Sequence, residues 1–152
     1  MSEFDLVFRD LTRKRDPVLR RALVVRALRA ASGALRVPRG ITAEIAVTVV
    51  GPRRMRSLNR KWRKVDNPTD VLAFPLHPRT PKGYTSVSLG DIFICPDVVR
   101  LKARQAGNPY SGQAKWSLVH GILHLAGYDH EKSTAAAKRM EAQERKILRS
   151  LK

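Results

Sequence analysis

One run of eleven residues sets the tightest condition on how this chain folds: His120-Gly121-Ile122-Leu123-His124-Leu125-Ala126-Gly127-Tyr128-Asp129-His130. Three of the four histidines in the chain lie within it. His120 and His124 are four apart, so on a helix they share one face, with Cβ atoms about 5–6 Å apart. Gly127 stands where a helix can close in a left-handed turn, a conformation that only glycine enters without strain. Such a turn swings the chain back and carries His130 towards the first two rings. Three imidazoles converging from a helix and its returning loop are the donor set of an open metal site, with the fourth position left for water.

Written as a pattern, the run is H-x-x-x-H-x-x-G-x-x-H, the ligand spacing of metzincin peptidases. Those enzymes place a glutamate directly after the first histidine, where it serves as general base. Here that position is Gly121, so the metal cage is kept and the base is missing. Glycine inside a helix costs about 1 kcal/mol relative to alanine, which implies that something approaches the backbone there. Three histidines suit Zn²⁺, which lowers the pKa of a bound water to about 7. Affinity order alone leaves nickel or another divalent ion open. Asp129, Asp70 and Asp91 are candidate acceptors for the outer ring nitrogens. A structural zinc site is the alternative, and Asp129 is the one side chain of the run able to close it. Without a peptidase base, phosphodiester chemistry becomes attractive: a metal polarises a phosphoryl oxygen, and an arginine fork neutralises charge on the transition state.

Composition points the same way. The chain carries 30 Lys+Arg against 13 Asp+Glu, a formal charge of +17. A field of that sign attracts polyanions, of which nucleic acid is the commonest in a cell. From Arg53 to Lys64 seven of twelve residues are basic and none is acidic. With 152 residues and 43% hydrophobic content, one domain over residues 1–152 with a substantial core is expected. Cys95 is the only cysteine, which excludes an intramolecular disulfide and a thiolate zinc cluster. The acidic start Met1-Ser2-Glu3-Phe4-Asp5 is unlike a signal peptide, and no apolar run approaches the roughly 20 residues of a membrane span. A soluble, cytoplasmic protein without membrane contact is therefore expected.

Local patterns set out the elements. Strands are expected at Phe4–Phe8, Ala43–Val50, Asp70–Phe74 and Val87–Cys95, with Gly90 marking a bulge or close backbone approach. Asp16-Pro17 reads as an N-cap and first helical residue, opening a helix that ends near Gly33. Met55, Leu58 and Trp62 recur at helical spacing, predicting a short helix with Met55 and Trp62 in the core. Pro96-Asp97 opens a helix that Gly107 ends, Asn108-Pro109 opens the histidine helix, and Ser133 or Thr134 opens a last helix with Met140, Ile147, Leu148 and Leu151 inward. Residues 76–84, including His77, read as a loop. Helices and strands without strict βαβ alternation predict an α+β fold, a small mixed sheet packed by helices.

The eleven-residue run resembles the signature of the YbeY family of bacterial metal-dependent endoribonucleases. Further blocks resemble the family in the same order: Leu58-Asn59 with Arg63 and Asp66, Pro68 to Pro75, Leu89-Gly90-Asp91-Ile92, and Met140-Glu141 with Glu144. The resemblance implies an α+β fold with a zinc ion held by His120, His124 and His130. It implies cleavage of single-stranded RNA, maturation of the 3′ end of small-subunit ribosomal RNA and ribosome quality control, with ribosomal RNA and the small ribosomal subunit as partners. Arg63 matches the family's functional arginine and is expected to act in catalysis with His120 and His124; Arg63 and Asp70 are expected to contact substrate. Two other readings stand beside it: a non-catalytic RNA-binding assembly factor with a structural zinc, and a metal-dependent hydrolase of another class.

Overall fold

Alternation of apolar and polar residues builds the sheet. In strand β2 (Thr42–Val49), Ala43, Ile45, Val47 and Val49 are buried while their neighbours are exposed to varying degrees, the period of two expected of a strand. The computed structural model describes residues 3–76 and 82–152, so His77 and most of the loop expected around it lie outside the described residues. Four strands form one sheet in the order β1-β2-β4-β3, where β1 is Glu3–Asp10, β3 is Val71–Pro75 and β4 is Ser86–Ile94. β1, β2 and β4 run parallel, and β3 pairs antiparallel with β4 at the edge. Helices α1 (Arg21–Ala30) and α2 (Ser32–Leu35) connect β1 to β2, and α3 (Pro52–Arg63) leads from β2 to β3. After β4 come α4 (Pro96–Ala106), α5 (Tyr110–Leu125) and α6 (Thr134–Ser150). The expected α+β layer with a mixed sheet is present.

α5 is the buried centre of the helical layer. Leu118, Val119, Ile122 and Leu123 are fully enclosed, in one cluster with Ile92 and Ile94 of the sheet, Leu28 of α1 and Met140 and Ile147 of α6. Each such side chain contributes about 1.5–3 kcal/mol by leaving water. α5 is thus clamped from several sides, which holds the histidines it carries in place. Gly90 sits at φ 127°, and a Cβ there would drive into the Phe74 carbonyl oxygen. The β2–β4 register shifts between Glu44 and Ile45, beside Gly90, so the expected bulge and the expected close approach coincide. Cys95 is buried, and burial pushes its thiol pKa up.

Three local readings need correction. Asp16-Pro17 does not open the first helix, which begins at Arg21. The Asp16 carboxylate instead accepts from the backbone N–H groups of Val18 and Leu19 and is drawn to Arg100 at 2.8 Å and the Tyr110 hydroxyl at 2.6 Å. One oxygen does capping chemistry on Val18 and Leu19 while the other is held by Arg100 and Tyr110, and the backbone becomes helical only at Arg21. The helix also stops before Gly33; α1 ends at Ala30, and the single turn of α2 runs through Gly33 to a left-handed Arg36. In α3 Met55 is core, whereas Trp62 is 59% exposed, edge to face with Phe74 and with the Lys61 ammonium 5.0 Å from its ring centre. β3 is an edge strand, so among the described residues no further strand lies beyond Phe74 to cover the indole. Among the described residues no helix is long and apolar enough to cross a membrane.

Candidate metal centre

Four-residue spacing puts Trp116, His120 and His124 in one row along α5. The helix then closes as the glycine demands: Gly127 has φ 95°, its N–H donates to the His124 carbonyl, and the Tyr128 N–H donates to the Leu123 carbonyl. These paired bonds are a Schellman cap. The turn returns the chain so that the His130 ring lies 5.2 Å from that of His120 and 5.4 Å from that of His124, centroid to centroid. One nitrogen from each of the three rings lies within 4.8 Å of the others, and His120 Nε2 and His124 Nε2 are 3.1 Å apart.

The orientation of His120 follows from its outer contact. His120 Nδ1 lies 2.7 Å from Glu144 Oε1, on the buried face of α6. An ionised carboxylate only accepts, so opposite it Nδ1 takes the donor role, and Nε2 is the nitrogen turned towards the other two rings. Trp116 Nε1 donates to the second Glu144 oxygen at 3.3 Å, and the indole stacks on the His120 ring with centroids 4.7 Å apart. The ring is therefore fixed at its edge by a carboxylate and on its face by an indole. His124 is held neutral: burial first, then the neighbouring His120 and His130, lower its pKa below the usual 6.5. Imidazole nitrogens are donors that suit a divalent cation, and three of them this close together fit such an ion.

A cleft of about 730 Å³ opens over these rings. Arg63, at the last turn of α3, stands on its wall with its guanidinium 3.9 Å from Glu131; both side chains are largely exposed. Asp70 lines the same cleft but is itself buried, accepting from Lys102 Nζ at 2.9 Å and Ser117 Oγ at 2.8 Å. Burial alone would raise its pKa; the Lys102 hydrogen bond and charge, with help from Ser117 and the Val71 N–H, hold it below the ordinary carboxylate range. The structure thus gathers Arg63, Asp70, His120, His124 and His130 around one cavity.

Of the three aspartates expected behind the rings, none takes that place. Asp129 uses one oxygen to accept the Glu131 N–H, Asp70 holds Lys102, and Asp91 is exposed on β4 away from the cleft lining. The role falls to Glu144. Its signal was in the sequence: an acid at the i+4 position of an inward row formed by Met140, Glu144 and Ile147. Lys102 was missed too, and nothing in the pattern of α4 marks it. Gly121 answers the expectation of close approach: a Cβ there would meet Val71 Cγ2 at 3.0 Å and Ile92 Cγ2 at 3.2 Å.

Comparison with known proteins agrees with this geometry. The family model for endoribonuclease YbeY matches residues 11–152. Endoribonuclease YbeY of Halorhodospira halophila is 45% identical over 114 residues, covering 74% of this chain and 73% of that protein. That of Persephonella marina is 38% identical over 109 residues, 72% of this chain and 71% of its own. That of Rhodopseudomonas palustris is 41% identical over 133 residues, 86% and 77% respectively. A solution structure of a Thermotoga maritima protein superposes with a TM-score of 0.61 at 26% identity, over 97% of this chain and 89% of the other. The matched span contains every residue of the histidine cluster, and the chain belongs to the endoribonuclease YbeY family.

Proposed function

We propose that this protein is a metal-dependent endoribonuclease that cuts single-stranded RNA, holding one Zn²⁺ on His120, His124 and His130. In the cell it trims the 3′ end of small-subunit ribosomal RNA and serves ribosome quality control, in the cytoplasm and in contact with the small subunit. Family membership supports RNA as substrate. The observation that carries the chemistry is the convergence of three imidazole donors, one with its ring held by Glu144, in a cleft walled by Arg63.

A divalent cation held there supplies a Lewis acid able to polarise a phosphoryl oxygen. Arg63 offers a planar fork of donors for phosphate oxygens. Its contact with Glu131 at 3.9 Å joins two exposed side chains and is worth well under about 1 kcal/mol, so a phosphate displaces it readily. Asp70 serves substrate binding through Lys102, whose ammonium it holds on the cleft wall. Glu144 and Trp116 keep His120 from turning.

The test is metal content and RNA cleavage, measured on wild type and His124→Ala purified in parallel. Wild type is expected to carry about one metal per chain and to cut a labelled single strand but not its duplex. His124→Ala is expected to lose both metal and cleavage. Cleavage at the wild-type rate by His124→Ala, or by rigorously metal-free protein, sinks the proposal.

A further inference from the structure

The catalytic cleft has the wrong sign for a polyanion. Its lining holds five carboxylates, those of Asp70, Asp129, Glu131, Glu141 and Glu144, against two cations, Arg63 and Lys102. A divalent ion on the three histidines reduces the excess of negative charge without reversing it. If RNA is the substrate, the affinity that brings it here arises outside the cleft.

α3 supplies what the cleft lacks. Its buried residues are Met55 and Asn59, and the opposite, solvent-facing side carries basic residues at every turn and no acid. Arg53, Arg54, Arg60 and Lys61 are exposed and form no salt bridge with a described residue; the nearby Arg56 is already paired to Asp66. The helix also joins two cavities. Arg63 at its C-terminal end lines the metal cleft, while Gly51 and Pro52 at its N-terminal end line a second groove of about 750 Å³ shared with Arg13, Lys14 and Arg15. A twelve-residue helix is about 18 Å long, room for about five nucleotides of a stacked strand at about 3.4 Å each.

We propose that the exposed face of α3 is a phosphate-binding rail, leading single-stranded RNA from the metal cleft to the groove at Arg13–Arg15. This rests on RNA being the substrate. The rail binds backbone without reading bases, because unpaired arginines and lysines on a convex helix meet phosphates as point charges and forks. It fixes which part of a long strand crosses the histidines while leaving a short one free to enter unaided.

Fluorescence anisotropy in the presence of a chelator tests the rail without calling on cleavage. The probes are end-labelled single-stranded RNAs of twelve and three nucleotides, and the variant is Arg53→Gln/Arg54→Gln/Arg60→Gln/Lys61→Gln. These four side chains are exposed, so circular dichroism is expected to match wild type. The variant is expected to bind the 12-mer about tenfold or more weakly at 0.15 M salt, and its log–log salt slope to fall by about 2 to 3 units, at about 0.7 per lost contact. Binding of the 3-mer is expected to change less than twofold. An equal charge removal on α6, Lys138→Gln/Arg145→Gln/Lys146→Gln/Arg149→Gln, separates the rail from the general field. Equal losses from the two sets, or an unchanged slope in the α3 set, overturn the proposal. So does loss of binding to phosphatidylglycerol vesicles with RNA binding intact, which assigns the face to a membrane surface. Failure of the nuclease reading shows separately, as absence of cleavage in metal-loaded wild type.

Discussion

Glu144 offers the sharpest test of how the site is held. Its carboxylate is buried and accepts hydrogen bonds from His120 Nδ1 at 2.7 Å and from the Trp116 indole N–H at 3.3 Å. Glu144→Ala leaves His120 free to change tautomer and rotate, so part of the binding energy of a cation goes into ordering the ring. Loss of such an outer-shell partner weakens metal affinity about 10- to 100-fold, or about 1.4–2.8 kcal/mol. The short, charge-assisted contact and the stacked indole place this case at the upper end. Glu144→Gln keeps a carbonyl oxygen for Nδ1–H but then turns its amide N–H₂ towards the Trp116 N–H, donor against donor, so a loss of about tenfold is expected. The assay is competition for Zn²⁺ between metal-free protein and a chromogenic chelator, with Trp116 fluorescence as a second reporter. Urea titration of the metal-free variants confirms that each is folded. A folded Glu144→Ala protein binding Zn²⁺ within twofold of wild type refutes the reasoning, as does Glu144→Gln proving weaker than Glu144→Ala.

Four further outcomes follow from the same geometry. Arg63→Ala is expected to slow cleavage about 10²- to 10³-fold with metal content unchanged, and Arg63→Lys to recover only part, because an ammonium keeps the charge but not the fork. Asp16→Ala removes the acceptor of the Tyr110 hydroxyl and of the Val18 and Leu19 N–H groups and leaves Arg100 with Asp97 alone; a cost of about 1–3 kcal/mol by urea denaturation is expected. Gly90→Ala combines a φ of 127° with a clash into the Phe74 carbonyl and is expected to cost about 3 kcal/mol or more in the same measurement. The metal-free protein is expected to lose stability as pH falls below about 6.5: His124 has a depressed folded pKa, so the unfolded chain binds the proton first. Asp70, likewise depressed, adds a second loss only below the ordinary 3.8, and His124→Asn is expected to flatten the first limb alone.

What the sequence made legible was local. The histidine spacing and Gly127 define a helix and its cap within eleven residues, so the cage needed no knowledge of the remainder of the chain. The strands were legible for the same reason, since alternation in β2 is a short-range pattern. What failed depended on partners far along the chain. Asp16 looks like an N-cap from its neighbours, but Arg100 and Tyr110, 84 and 94 residues away, decide its role. Trp62 fits an apolar stripe, but only the sheet order reveals that its stripe overhangs an edge strand. Glu144 reaches His120 because α6 packs on α5, and no spacing rule links positions 24 residues apart across a turn.

Gly121 separates this site from the peptidases that share its spacing. On a helix the residue after the first histidine points about 100° away from the metal-facing row. Here that direction runs into Val71 of β3 and Ile92 of β4, at 3.0 and 3.2 Å from where a Cβ would stand. A glutamate at this position sets its Cβ against two aliphatic side chains, so the helix or those side chains have to shift to admit it. The glycine thus lets α5 press onto the β3–β4 pair, and the same contact removes the place from which a peptidase base would act. Any base has to come from another element facing the cleft, and Asp129, Glu131 and Glu141 are the carboxylates there that neither Lys102 nor His120 occupies. RNA also brings a nucleophile that peptides lack, the 2′-hydroxyl beside each phosphodiester. The product ends distinguish the two routes: a 2′,3′-cyclic phosphate marks attack by the hydroxyl, and its absence marks attack by water. A substrate that carries its own nucleophile asks less of the protein than one that needs an activated water.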